Sequence, residues 1–156
     1  MLTFKLTNAA NRLMTKAAEV ALVDGQPCFI ATPHIFLGIV DEGVIARQLR
    51  KKFGVTYEDV AEIVDTLEFE PTDFTSIEMR LESHALVVMQ KALSDSFKYR
   101  EVRTDPKRIL VSMLLLLDDD AELQEVFEKL NAKGIQLDKS KLLNLFVPER
   151  TAENTR

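Results

Sequence analysis

Residues 29–42 read FIATPHIFLGIVDE, and residues 102–120 read VRTDPKRILVSMLLLLDDD. In each, a helix-capping residue followed by proline (Thr32-Pro33, then Asp105-Pro106) opens a nearly unbroken apolar block. Cap-then-proline marks a helix start, because the first helical N–H has no partner to lose and the fixed φ of proline already suits the helix. A helix that is apolar on every side belongs in an interior. Two buried helices are therefore expected, with Thr32 and Asp105 as their N-caps.

The flanks of these two blocks match. Upstream of the first, Leu6, Ala10, Leu13, Met14, Ala17 and Ala21 recur at helical spacing, which predicts an amphipathic helix capped by Thr7 or Asn8 and followed by a loop, DGQPCFIAT, over 24–32. Downstream, a helix over about 43–52 stops before Gly54, and YEDVAEIVDTL (57–67) closes the unit. Upstream of the second block, Leu81, Ala85, Val88, Met89 and Ala92 reproduce the first-helix pattern, and SDSFKYREVRT (94–104) is the matching loop. Asp118, Asp119 and Asp120 take the place of Asp41 and Glu42, ELQEVFEKL (122–130) leads to Gly134-Ile135 as ARQLRKKF leads to Gly54-Val55, and DKSKLLNLF (138–146) is the fourth element. Four elements recurring in order form an internal repeat. The expected fold is all-α: two pseudo-symmetric four-helix repeats in one domain over 1–147. Repeat one covers about 4–67, and a linker over about 68–77 holds Pro71 with Phe69 and Phe74 as anchors. Repeat two covers about 78–147, and a polar tail runs over 148–156.

Composition agrees with helices joined by short loops: 46% of residues are hydrophobic, glycine and proline number five each, and tryptophan is absent. The single cysteine, Cys28, allows no internal disulfide, and with two histidines there is no Cys/His zinc set, so a reducing, cytoplasmic setting is expected. Charged residues interrupt the amino-terminal apolar run, and no stretch approaches membrane-spanning length, so neither a signal peptide nor a membrane partner is expected. A net charge of −5 argues against general affinity for nucleic acid.

Three segments, LTNAANRLMTKAAEVA (6–21), FIATPHIFLGIVDE and GVIARQLRKKFGV (43–55), together with their more divergent second copies, resemble the twin repeats of the amino-terminal domain of Clp-type unfoldases. The similarity covers about residues 4–147. The family stretch Thr-Glu-His-Leu-Leu-Leu-Gly is represented by Thr32 to Gly38 with Pro33 in place of glutamate, and the Leu-x-x-x-Gly-Val turn by Leu49 to Val55 with one extra residue. The resemblance implies a non-enzymatic module that binds clients or adaptor proteins at the mouth of a hexameric ATPase, or a free-standing regulator of such a machine. This chain carries no G-x-x-x-x-G-K-[ST] loop, so any ATPase would lie in a longer parent protein, and no cofactor is expected. Some family members read phosphoarginine through a first-helix threonine and the Thr-Glu-His glutamate. Here Thr7 remains, Pro33 replaces the glutamate, Glu82 stands near the second threonine position, and Pro106, Lys107 or Arg108 near the second glutamate. Without a carboxylate to pair with a guanidinium, that recognition is not carried over.

The candidate partner-binding residues are Thr7, Thr32, His34, Glu82, Arg103, Lys107 and Arg108. Lys107 and Arg108, with Lys98, Arg100 and Arg103 upstream, could accept an acidic partner, against the simpler view that they are a solvated face. An alternative function, nucleic-acid binding through Arg47, Arg50, Lys51 and Lys52, lacks interleaved aromatics, and these cations also fit a helix end. His34 and His84 have no nucleophile or paired carboxylate in sequence, and Cys28 has no cationic neighbour, so structural roles are expected.

Overall fold

The computed structural model describes residues 5–147; the expected tail at 148–156 lies outside the described residues. Repeat one comprises α1 (Asn8–Val20), a hairpin of β1 (Leu22–Val23) and β2 (Gln26–Pro27), α2 (Thr32–Asp41), α3 (Val44–Phe53) and α4 (Tyr57–Val64). A short helix α5 (Ile77–Arg80) precedes repeat two, which comprises α6 (Ser83–Lys98), α7 (Pro106–Leu115), a 3-10 turn (Leu117–Asp119), α8 (Ala121–Ala132) and α9 (Lys139–Phe146).

The two central helices are as interior as their composition demands. Phe36, Ile35 and Ile39 of α2 and Ile109, Leu110 and Met113 of α7 are buried in one continuous core, and Phe36 meets the α8 residue Phe127 edge-on at a centroid distance of 5.3 Å. Helix α2 packs so closely on α1 that a Cβ built on Gly38 would fall 2.6 Å from the Leu13 carbonyl oxygen, so only glycine fits. Gly54, at φ +74°, ends α3 as its spacing predicts.

Three expectations need correction. Helix α2 begins one residue early: Ala31 is the N-cap and Thr32 is already helical, because the Thr32 hydroxyl is used elsewhere, donating to the Asp120 carboxylate at 2.5 Å. The segment read as loop over 24–32 begins in a hairpin, since Asp24 (φ +51°) and Gly25 (φ +80°) form the left-handed two-residue turn that Asp-Gly favours. The all-α class expected from the sequence holds, since each strand is only two residues long. Finally, α5 adds a helix to the eight expected, started by the Ser76 hydroxyl accepting from the Met79 N–H.

The repeats exchange their entry segments. Thr7 N–H donates to the Thr104 carbonyl (3.0 Å) and Thr104 N–H to the Lys5 carbonyl (2.8 Å). In the same way Ile30 N–H donates to the Arg80 carbonyl (2.7 Å) and Glu82 N–H to the Ile30 carbonyl (2.9 Å). Each first helix is therefore tied to the residue that precedes the buried helix of the other repeat. These bonds pair Ile30 with Thr104 and Leu6 with Leu81 as equivalent positions, and the N-caps Ala31 and Asp105 continue the correspondence to Pro33 with Lys107 and His34 with Arg108.

Candidate functional site

The exchange decides which helix starts are neighbours. The α1 and α2 helices run antiparallel: Arg12 near the start of α1 pairs with Glu42 just past the end of α2 at 3.5 Å, while Arg80 bridges the end of α1 to the segment leading into α2. Thr7 and Pro33 consequently lie at opposite ends of that pair. The Thr7 end faces the start of α7, and the Glu82 end faces the start of α2, so site residues combine across repeats rather than within them.

At the Thr7 end lies a groove of about 1010 Å³ between α1, the α2–α3 corner, the start of α7 and the end of α9. Leu13, Ile39, Ile45, Leu145 and Phe146 give it an apolar floor, and Val44, 61% exposed, stands at its edge. Arg12, Lys16, Arg47 and Lys107 contribute positive charge, and Asp41, Glu42 and Asp105 negative charge. Arg12 and Glu42 pair with each other, while the Asp105 carboxylate caps α7 by accepting from the Arg108 N–H at 2.8 Å. Among the described residues no serine, threonine, cysteine, histidine or tyrosine lines the groove. It offers apolar area and charge for a bound chain, without a hydroxyl or thiol nucleophile or a histidine base among those residues.

Thr7 caps α1 by accepting from the Ala10 N–H at 3.2 Å, and Lys107 projects from the first turn of α7 into the groove. Arg103 is exposed and reaches the Leu6 carbonyl only at 3.5 Å. Arg108 is committed: its guanidinium bonds Glu101 at 2.8 Å and covers the Tyr99 ring at 4.9 Å. Of the two residues expected to act together at the start of α7, only Lys107 faces the groove.

The opposite end is acidic. A recess of about 380 Å³ is lined by Glu68, Glu70, Glu82 and Glu122 around Phe29, Phe69 and Leu81. Burial works to raise the Glu82 carboxyl, but hydrogen bonds from the His84 N–H, the Ser83 hydroxyl and the His84 ring hold it below its usual value. Glu122 is raised by burial and by the nearby charges of Glu82 and Asp120.

Thr32 and His34, both 1% exposed, lie beneath this surface and cannot meet a partner directly. The His34 Nδ1 accepts from the Ala31 N–H at 3.0 Å, which places the ring proton on Nε2, and Phe69 lies against the ring at 4.1 Å. Burial, reinforced by the Arg80 guanidinium, pushes His34 down to about 4. Cys28 is likewise buried, and its thiol is raised by that burial.

Arg80 is not among the residues that the sequence singles out. Only 7% exposed, it donates to the carbonyls of Ala18 (3.1 Å), Ala21 (3.0 Å) and Cys28 (3.1 Å), satisfying the end of α1 with a cation where the helix dipole favours one. Its only local sign is a position between Met79 and Leu81, just past the linker. Of the basic cluster on α3, Arg50, Lys51 and Lys52 occupy the last turn and Arg47 borders the groove. Among the described residues no helix is long and apolar enough to cross a membrane, and no three His, Cys, Asp or Glu residues are grouped to hold a metal ion.

The family model for the Clp repeat (R) N-terminal domain matches residues 5–130. Among solved structures, the chain is similar to the crystal structure of the N-terminal domain of the caseinolytic protease associated chaperone ClpD from Arabidopsis thaliana. The TM-score is 0.71 at 18% identity, over 96% of this chain and 97% of that one, a likeness of fold. No curated protein matches the chain.

Proposed function

The chain belongs to the Clp repeat N-terminal domain family, and on that premise we propose that it docks protein or peptide clients, or adaptor proteins, for a Clp-type unfoldase, as that machine's amino-terminal domain or as a free-standing regulator in the cytoplasm. The groove at the Thr7 end carries this reading: it has the size and apolar floor to hold a peptide segment, and its described lining has no hydroxyl, thiol or imidazole. Where the family pattern has a glutamate, the α7 start presents Lys107, so the groove favours carboxylate-bearing partners over guanidinium-bearing ones.

The test is a titration of acidic, neutral and phosphoarginine-bearing peptides against wild type and Lys107→Glu at low and moderate salt. Acidic peptides should bind best, and charge reversal should weaken them by roughly three- to tenfold, mostly at low salt. A preference for phosphoarginine, or acidic-peptide binding that ignores the reversal, contradicts the assignment.

A further inference from the structure

The two loops that lead into α2 and α7 are equivalent, yet among the described residues only one is covered. In repeat one the linker lies along the loop as an extended segment: Phe29 N–H donates to the Glu70 carbonyl (2.9 Å), and Thr72 N–H to the Pro27 carbonyl (3.0 Å). Cys28, bridged to Pro71, is fully buried as a result. The matching residues of repeat two are Glu101, Val102 and Arg103. Neither the Glu101 carbonyl nor the Arg103 N–H has a hydrogen-bond partner among the described residues, and Val102 is 84% exposed. Beside it Phe97 is also 84% exposed and Tyr99 59%, an unusual concentration of apolar surface on one loop.

We propose that residues 97–103 form a second docking surface, which takes from a partner protein an extended segment carrying an aromatic side chain between carboxylates. The first repeat holds a template for that occupant. The segment covering its loop reads Glu68-Phe69-Glu70-Pro71-Thr72, and the Phe69 ring rests on His34. At the position of His34 the second repeat has Arg108, whose guanidinium and underlying Tyr99 offer an incoming aromatic ring a cation–π and ring-packing seat. Lys98, Arg100 and Arg103 lie on the loop without an ion pair among the described residues, the nearby pairs being Lys91–Asp95 and Arg108–Glu101. The unpaired backbone groups supply affinity by strand addition, and the cations select for acid.

The proposal rests on the chain being a docking module but uses a surface outside the groove floor, so the two can fail separately. A fluorescent peptide of sequence LEFEPTD, copied from residues 67–73, is titrated against the full chain, with the footprint mapped by amide hydrogen exchange. Binding should protect the Arg103 amide. It should weaken at least tenfold in Phe97→Ser/Val102→Ser, and roughly tenfold when the peptide threonine is N-methylated, as loss of one backbone hydrogen bond predicts. A Val44→Asp change at the groove edge should leave it unchanged, while impaired groove binding of the acidic peptides would still show there. Equal binding of a charge-reversed LKFKPTK peptide, or a footprint at residues 27–30, overturns the proposal. So does failure of LEFEPTD to bind while Phe97→Ser/Val102→Ser abolishes sedimentation with phosphatidylserine vesicles, which would make the loop a lipid contact.

Discussion

At Phe29 the amide is bonded to Glu70 and the ring meets Phe74 edge-on at 6.2 Å; at Arg103, its counterpart, the amide meets no partner among the described residues and the side chain is exposed. Both loops hang from the same exchanged frame, and among the described residues the difference is the segment that follows α4. After α4 comes an acidic, aromatic linker that doubles back over its own repeat. The carbonyls at the end of α1 are also held by Arg80, whose counterpart by the same spacing, Lys5, is exposed. Among the described residues one loop is covered by the chain itself and the other keeps unpaired backbone groups and exposed apolar side chains, which is the contrast the proposed second docking surface rests on.

Equivalent substitutions in the two halves can break this comparison. The largest effects belong in the shared core: Phe36→Ala should destabilise by about 3–5 kcal/mol and Leu110→Ala by about 2–5 kcal/mol, read from urea midpoints, since both side chains are fully buried. Unchanged midpoints would show that these helices do not form the core. Arg80→Met removes the guanidinium from three carbonyls, of which Ala21 keeps the Cys28 N–H, and should cost about 3 kcal/mol, whereas Lys5→Met should stay within about 0.5 kcal/mol. Similar losses at the two positions would remove the asymmetry.

His34 makes the first repeat pH-sensitive where Arg108 cannot. Folded, its ring holds a proton only below about 4, against 6.5 for the unfolded chain. As pH falls through that window the unfolded state takes up the proton first, so the contribution is intact above 6.5 and is lost toward 4, amounting to up to about 3 kcal/mol. The stability difference between wild type and His34→Gln should therefore shrink between pH 7 and pH 4.5; a constant difference would mean that the ring is not buried neutral.

The smallest pair should differ in sign. Gly38→Ala drives a methyl against the Leu13 backbone and should destabilise by about 1–3 kcal/mol, despite alanine's better helix propensity. Ser112→Ala, at the matching position of α7, removes a buried hydroxyl that has no hydrogen-bond partner among the described residues and should be neutral or stabilising by up to about 1 kcal/mol. Destabilisation by Ser112→Ala equal to that of Gly38→Ala would show the two helix contacts to be alike.

The parts legible in the sequence are those governed by local rules: helical periodicity in α1 and α6, apolar blocks in α2 and α7, the Asp105 cap and the glycine stop at Gly54. The twofold order follows from these without any long-range information. The features that escape a sequence reading depend on distant partners. Thr32 looks like a cap until Asp120, 88 residues away, claims its hydroxyl, and nothing beside Arg80 in the sequence marks it for the end of α1. The exchange of entry segments leaves no periodic trace, so the resemblance pairs Thr7 with Pro33 within one repeat, whereas the backbone places them at two ends. The Asp24-Gly25 turn is the exception, a local hairpin signal hidden inside an irregular-looking loop.

Amide hydrogen exchange in the unliganded full chain tests the unequal finishing of the repeats most directly, by comparing Phe29 with Arg103 under the same conditions. A strongly protected Phe29 amide is expected, with the Arg103 amide exchanging at nearly the rate of an open chain. Equal protection at the two amides would contradict it, because the second loop would then already be covered.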